Sequence, residues 1–305
     1  MARPSDRRWG APAMRSMRRR LIVTADDFGM SLEVNEAVEE GHRSGILTCA
    51  SLVTAGAAAE DAIRRARRMP GLGVGLHLAL YGAPSQAPAR EVPGLLDPSG
   101  RWLGERPVAT GARLSLSRSL QAQVRTEVGA QFEAFARSGL KLDHVDGHWH
   151  CHQHPYVLRT LMELGTSRGL PAVRVPYEPP LPSWRAAGRR QLVRRTFHAL
   201  AHRPLAANMR RRLRARGIAF NDWFFGKVDE GAMIASHMQQ LFVHLPPGVS
   251  ELGLHPATAT WPSEHAPPAH WRAAEELAAL VDPAVRAACK REGIELIRFG
   301  DLSRC

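Results

Sequence analysis

Eleven residues, His144 to His154, hold five of the chain's 14 histidines, and Pro155 follows them. Alternation matters as much as density. If the first half of His144-Val145-Asp146-Gly147-His148-Trp149-His150 is a strand, its period of two puts His144, Asp146, His148 and His150 on one face. Neutral imidazoles and carboxylates aimed one way can form a divalent metal site, an acid–base site, or both. The alternative is a solvated His-rich loop. Pro155 suits the first turn of a helix, so the run reads as strand end, polar loop, helix start. That junction is where α/β folds place chemistry.

Three further strand ends carry such residues. A short apolar run, Arg20 to Ala25, ends at Asp26-Asp27-Phe28-Gly29. Gly73 to Leu78 reads as a strand carrying His77, and Ser250 to Pro256 as a late strand carrying His255. Taken alone, Asp-Asp-Phe-Gly could be a turn with a helix cap, and His77 a satisfied core histidine. Together, one aspartate and two histidines suit a mid-row divalent metal with positions left for water and substrate. Neighbouring carboxylates on an extended strand point apart, but at a strand end they can split roles, one ligating and one taking a proton. For His154, capping of the following helix is the simpler reading.

Strands and helices alternate at least six times along the chain, which predicts a parallel sheet with right-handed crossovers. The first strand is followed by two carboxylates where a dinucleotide-binding fold needs bare backbone, so a barrel is favoured over a doubly wound sheet. The spacing also predicts strands over 142–145 and 172–176, a long Pro- and Gly-rich loop over 81–112, and an aromatic loop over 221–226. Residues 1–18 read as a disordered basic tail, with Met14 or Met17 an alternative start. Residues 19–305 read as one domain with an insertion at about 178–235.

The net charge of +12 is unevenly placed. Residues 1–20 carry seven arginines and one aspartate, residues 185–216 carry eleven arginines and no acid, and the remainder is net acidic. The body is therefore not generically basic, and no stacking aromatics interleave the arginines, so nucleic acid is not expected as a partner. In 185–216 the apolar residues Val193, Phe197, Leu200, Leu205, Met209 and Leu213 recur at helical spacing, split by Arg203-Pro204. Such basic amphipathic helices either lie on an anionic membrane or pack their stripe on the barrel as a lid. The four cysteines are widely spread with no CxxC, which fits a reducing cytoplasm, and no stretch is long and apolar enough to span a membrane.

Thr24-Ala25-Asp26-Asp27-Phe28-Gly29, Gly75-Leu76-His77-Leu78, His144 to His152 and Leu254-His255-Pro256 together resemble the motifs of the YdjC-like carbohydrate deacetylases, which include the chitooligosaccharide deacetylases. The resemblance runs from residue 21 to about 300. It implies a distorted, TIM-like (β/α) barrel of seven strands with a helical Arg-rich insertion. It implies a hydrolase that removes acetyl from an N-acetylated amino sugar with one divalent ion, magnesium favoured over zinc, manganese or cobalt. Carried over by position, Asp27, His77 and His148 are the metal ligands, Asp26 the general base and His255 a candidate acid. Asp146, His150, His152, Arg174 and Trp223 fall into supporting or substrate-facing places. Within the family, Trp149, the 221–226 loop and the length resemble the hopanoid-biosynthesis-associated branch (HpnK). That likeness implies an N-acetylglucosaminyl glycolipid as substrate; the cysteine usage and the basic helices make a cytoplasmic enzyme, peripheral at the membrane, the expected location. A metal-dependent phosphoesterase and a non-catalytic sugar-binding protein are the competing functions.

Overall fold

The computed structural model describes residues 18–97, 102, 107–260 and 268–304. The basic tail expected over 1–18 lies outside them except for Arg18. The first strand, β1 (Arg19–Phe28), carries Leu21-Ile22-Val23, a fully buried apolar run that includes the β-branched Ile22 and Val23. After a turn, Ser31 caps α1 (Leu32–Ser44) by accepting from the Val34 amide. The alternation continues through β2 (Cys49–Leu52), α2 (Ala59–Arg67), β3 (Gly73–Leu78), α3 (Pro107–Leu116), α4 (Arg118–Arg137), β4 (Val145–Gly147) and α5 (Pro155–Thr166). It resumes with α6 (Pro180–Ala186), α7 (Leu192–Arg214), β5 (Trp223–Phe225), α8 (Ala235–His244), β6 (Gly248–Leu254), α9 (Ala273–Val281), α10 (Pro283–Arg291) and β7 (Ile294–Leu296).

All ladders are parallel, in the order β4-β3-β2-β1-β6-β5, and β7 pairs only the first three residues of β1. The sheet curls into a distorted (β/α) barrel of seven strands, as expected. The gap between β4 and β5 is bridged by irregular chain. Arg174 donates its amide to Val145 at 3.1 Å, Val173 to Ala219 at 2.9 Å, and Phe224 to Tyr177 at 3.0 Å. This stretch is the strand expected over 172–176. It makes only isolated bridges, because Pro171 and Pro176 bring no amide donor to a ladder.

Other expectations shift as well. Part of the loop expected over 81–112 is α3, which opens on Pro107. The 221–226 loop contains β5, too short to show a period. The two helices expected about Arg203-Pro204 are one helix, α7, because Pro204 sits on its exposed face. The apolar stripe divides: Met209 and Leu213 are buried, whereas Val193, Phe197 and Leu200 stand in solvent. Among the described residues no helix is long and apolar enough to cross a membrane.

The barrel interior is polar. Thr24, Ser51, His77, His144, Asp146, Arg174 and Glu251 are each at most 1% exposed. Room for this layer comes partly from Gly75. A Cβ there would lie 2.5 Å from the His144 ring, which stacks on Phe299 and meets Ser51 Oγ at 3.0 Å.

Candidate active site

The C-terminal ends of β1, β3, β4 and β6 meet at one mouth. Asp26 and Asp27 are both there because the backbone turns left-handed at Asp27, with φ of 62°. A non-glycine residue rarely adopts this conformation, and the turn costs about 1–3 kcal/mol. It lets two neighbouring carboxylates serve one site, which an extended strand forbids. Asp27 Oδ1 lies 2.9 Å from His148 Nδ1 and 3.5 Å from His77 Nε2. His77 reaches from the third strand with its other nitrogen, Nδ1, donating to Asp146 Oδ1 at 2.8 Å.

One carboxylate oxygen and two imidazole nitrogens, all within 4.8 Å of one another, are a donor set that fits a divalent cation. The Asp146–His77 hydrogen bond fixes the ring in the orientation a ligating histidine needs. Burial opposes ionisation of Asp27, but His148 and His77 outweigh it and hold the carboxyl well below its usual range. Burial likewise opposes a charged His77, yet Asp146, Asp26 and Asp27 push its ring up to about 9. Asp27 and His77 thus favour each other's charged forms.

Beneath it lies Arg174, fully buried and serving three carboxylates. Its guanidinium grips both oxygens of Asp26 at 2.7 and 2.8 Å, donates to Glu251 Oε1 from Nε at 2.9 Å, and meets Asp146 Oδ2 at 2.8 Å. Ser51 also donates to Asp146 Oδ2, at 2.8 Å, and Thr24 to Glu251 at 2.9 Å. Asp26 is therefore held in a fork–fork pair that fixes its geometry. Each of its oxygens still has a second lone pair to offer.

The β1–β6 register pairs Ala25 with Leu254, so His255 follows at the rim beside Asp26 despite its distance in sequence. Its ring packs on Trp271 with centroids 4.3 Å apart, and its Nε2 is 3.9 Å from Glu230. Glu276 accepts the His255 amide at 2.6 Å. Burial opposes protonation of this ring, but Asp27, Glu230, Asp26 and Glu276 raise its pKa overall. The Nδ1 atom of His255 is buried without a hydrogen-bond partner among the described residues.

The remaining expected residues divide. His144 and Asp146 share the inward face as the alternation requires, but β4 ends at Gly147. His148 to Gln153 form a tight turn in which Trp149 and His150 have φ of 49° and 55°. His150 therefore leaves the strand face and packs edge-on against Phe224. His152 is buried and meets the Arg174 carbonyl through Nε2 at 3.0 Å. Burial, with Arg174 nearby, lowers it to about 3. His154 caps α5, accepting from the Tyr156 amide at 3.3 Å. Trp223 is not brought to the mouth. Its indole donates to Pro247, before the start of β6, at 3.2 Å.

Sequence reasoning missed Glu251, Glu230 and Lys227. Lys227 follows β5 with its Nζ 3.2 Å from His202 Nδ1, and burial lowers it to about 7 against the pull of Glu178 and Glu230. The signal was present: Lys227 is one of only three lysines among 41 basic residues, and Glu251 interrupts an apolar strand.

Comparison with known proteins bears on this arrangement. The profile of the family described as YdjC-like protein matches residues 20–291. A carbohydrate deacetylase of Mus musculus is 32% identical over 93% of this chain and 94% of its own length. One from Brevibacillus brevis is 37% identical over 159 residues, which are 52% of this chain and 60% of that protein. A crystal structure from Enterococcus faecalis, provisionally named a cellobiose-phosphate cleavage protein, superposes with a TM-score of 0.72 over 93% of this chain and 99% of its own. At 21% identity that likeness is one of fold.

Proposed function

The chain belongs to the YdjC-like protein family, and on that premise we propose that it is a metal-dependent hydrolase that removes acetyl from an N-acetylated amino sugar. The observation that carries the reading is the Asp27, His77 and His148 donor set beside an Arg174-clamped Asp26 at one barrel mouth. Relatives named carbohydrate deacetylase, one of them matched along nearly the whole chain, support it.

An amide carbonyl is a poor electrophile and water a poor nucleophile at neutral pH. A divalent cation on Asp27, His77 and His148, magnesium by family resemblance, would supply Lewis acidity to both. Asp26 accepts the proton that water loses as it adds to the carbonyl. Arg174 holds that carboxylate in place through both of its oxygens. The amine leaves badly unless protonated, and His255, whose carboxylate neighbours favour its charged form, donates to the departing nitrogen. Asp146 keeps the His77 ring in register. His152 steadies the irregular bridge through the Arg174 carbonyl, and His150 and Lys227 are proposed to face the sugar. For the finer substrate we favour the N-acetylglucosaminyl head of a hopanoid glycolipid, handled by a cytoplasmic enzyme at the edge of an anionic membrane.

The test is mass spectrometry of N-acetylated glycolipid and of chitobiose after incubation with metal-loaded enzyme. Acetyl loss is expected, with Asp26→Asn slower by roughly 10²-fold while still binding metal. His77→Ala should lose stoichiometric metal. Phosphate release from monoesters without acetyl loss would replace this reading with a phosphoesterase. Sugar binding with no turnover would replace it with a binding protein.

A further inference from the structure

Helix α7 has two unlike faces. Inward, Arg195, Ala199, Ala206, Met209 and Leu213 are buried, and Arg195 grips Asp229 at 2.7 and 2.6 Å. Outward, Val193, Phe197 and Leu200, spaced four and three apart, are 84%, 74% and 59% exposed. Leu192 beside them and Leu181 on the packed helix α6 are exposed too. Half of the ten exposed large apolar side chains among the described residues thus fall within 181–200. Scattered exposed hydrophobes need no explanation, but a stripe of them does.

The same helices are strongly basic. Arg185, Arg189, Arg190, Arg194 and Arg203 are exposed, and no acid occurs from 185 to 216. Among the described residues none of these five pairs with a carboxylate. Arg194 donates to Gln191, and Arg189 lies over the Trp184 ring. An apolar stripe on a convex helix, edged with free arginines, calls for a partner that is at once fluid, apolar and negatively charged. A second copy of the chain would set arginine against arginine. Nucleic acid would leave the aliphatic stripe in water.

We propose that α6 and the N-terminal half of α7 are the surface by which the protein lies on an anionic lipid bilayer, with Val193, Phe197 and Leu200 entering the acyl boundary. The geometry also connects this surface to the mouth. His202, on the next turn of α7, faces Lys227 Nζ at 3.2 Å and Gln153 at 3.1 Å, at the end of the His-rich turn. One helix therefore contacts lipid with one side and walls the site with the other. The proposal goes beyond the deacetylase reading and stands on the exposed stripe and its charge, whatever the substrate.

The experiment is cosedimentation of the full chain with vesicles of phosphatidylcholine alone or mixed with phosphatidylglycerol, at low and high salt. Binding is expected only to the mixed vesicles, weakening as salt rises. Each charge reversal at Arg190 or Arg194 should lower affinity at least about fivefold at low salt. Val193→Ser with Phe197→Ser should lower it roughly tenfold or more. Both are solvent-exposed, so thermal melts and turnover of soluble chitobiose should match the wild type. The proposal is overturned if the wild type stays in the supernatant at low salt. It is also overturned if the serine variant binds undiminished, since the contact would then be charge alone. Self-association dispersed by Phe197→Ser would assign the face to a second copy. Loss of chitobiose turnover in the serine variant would make the stripe part of the site.

Discussion

Replacing Arg174 by glutamine should destabilise the fold by about 3–5 kcal/mol at neutral pH, the usual cost of removing one partner from a buried ion pair. One cation here serves three carboxylates: Asp26, 4% exposed, and Asp146 and Glu251, both fully buried. Glutamine can replace one or two of the guanidinium's hydrogen bonds but none of its charge. The cheapest relief is for Glu251 to take a proton. Its Oε2 is buried without a hydrogen-bond partner, and burial already raises its pKa against the pull of Arg174. Protonating a carboxyl of ordinary pKa at neutral pH costs about 3–4 kcal/mol, which bounds the damage from that residue. For a chain of this length the melting temperature should fall by about 5–8 °C. The folded variant then holds a proton that the unfolded chain lacks. Its deficit is therefore largest above the raised pKa and shrinks as pH falls toward the ordinary glutamate value. Adding Glu251→Gln should recover part of the loss in the Arg174→Gln background and recover nothing in the wild type. Thermal melts by circular dichroism at neutral pH and at about pH 5 read all of this. A variant melting within about a degree of wild type, or a double variant less stable than Arg174→Gln, would refute the reasoning.

Gly75→Ala places a methyl 2.5 Å from the His144 ring, which Ser51 and Phe299 hold in place. It should cost about 1–3 kcal/mol, and an unchanged melting temperature would show that the layer yields. His152, buried and lowered to about 3, stays neutral in the folded chain but titrates near 6.5 when unfolded. The unfolded state therefore binds the extra proton, and stability falls as pH drops below about 6.5, by up to about 1.4 kcal/mol per pH unit. His152→Gln should make that acid limb shallower by one proton's worth in urea midpoints measured across the range. An unaltered slope would assign the limb to other groups.

The donor residues were legible because each sits at a strand end, where a polar residue after an apolar run has few structural uses. Asp26, Asp27, His77, Asp146, His148 and His255 all have that signature. Residues that reach the site by irregular backbone were not. His150 left the face its spacing promised because Trp149 and His150 turn left-handed, a conformation no residue type announces. Glu251 hides inside β6, where period two assigns it to the interior but gives no reason for its charge until Arg174 is placed opposite. The prolines flanking 172–175 and the three-residue length of β5 blurred the barrel's closing side. There the ring is held by single backbone hydrogen bonds and not by ladders.

That weak side holds its place through the same charges that prepare the chemistry. Asp146 gives one oxygen to His77 and the other to Ser51 and Arg174, while Arg174 gives its remaining donors to Asp26 and Glu251. One carboxylate thus ties the donor set at the mouth to the clamp on the proposed base. Arg174 lies on the irregular bridge between β4 and β5, so its guanidinium also fastens that bridge to β1 and β6 across the barrel. A barrel closed by apolar packing alone could be as stable, because a buried ion cluster recovers little net energy. What the cluster adds is position. Asp26 and Asp27 are neighbours in sequence, yet one is bound to arginine and the other to two histidines. Two identical side chains are thereby given different charge environments, which suit the separate roles proposed for them.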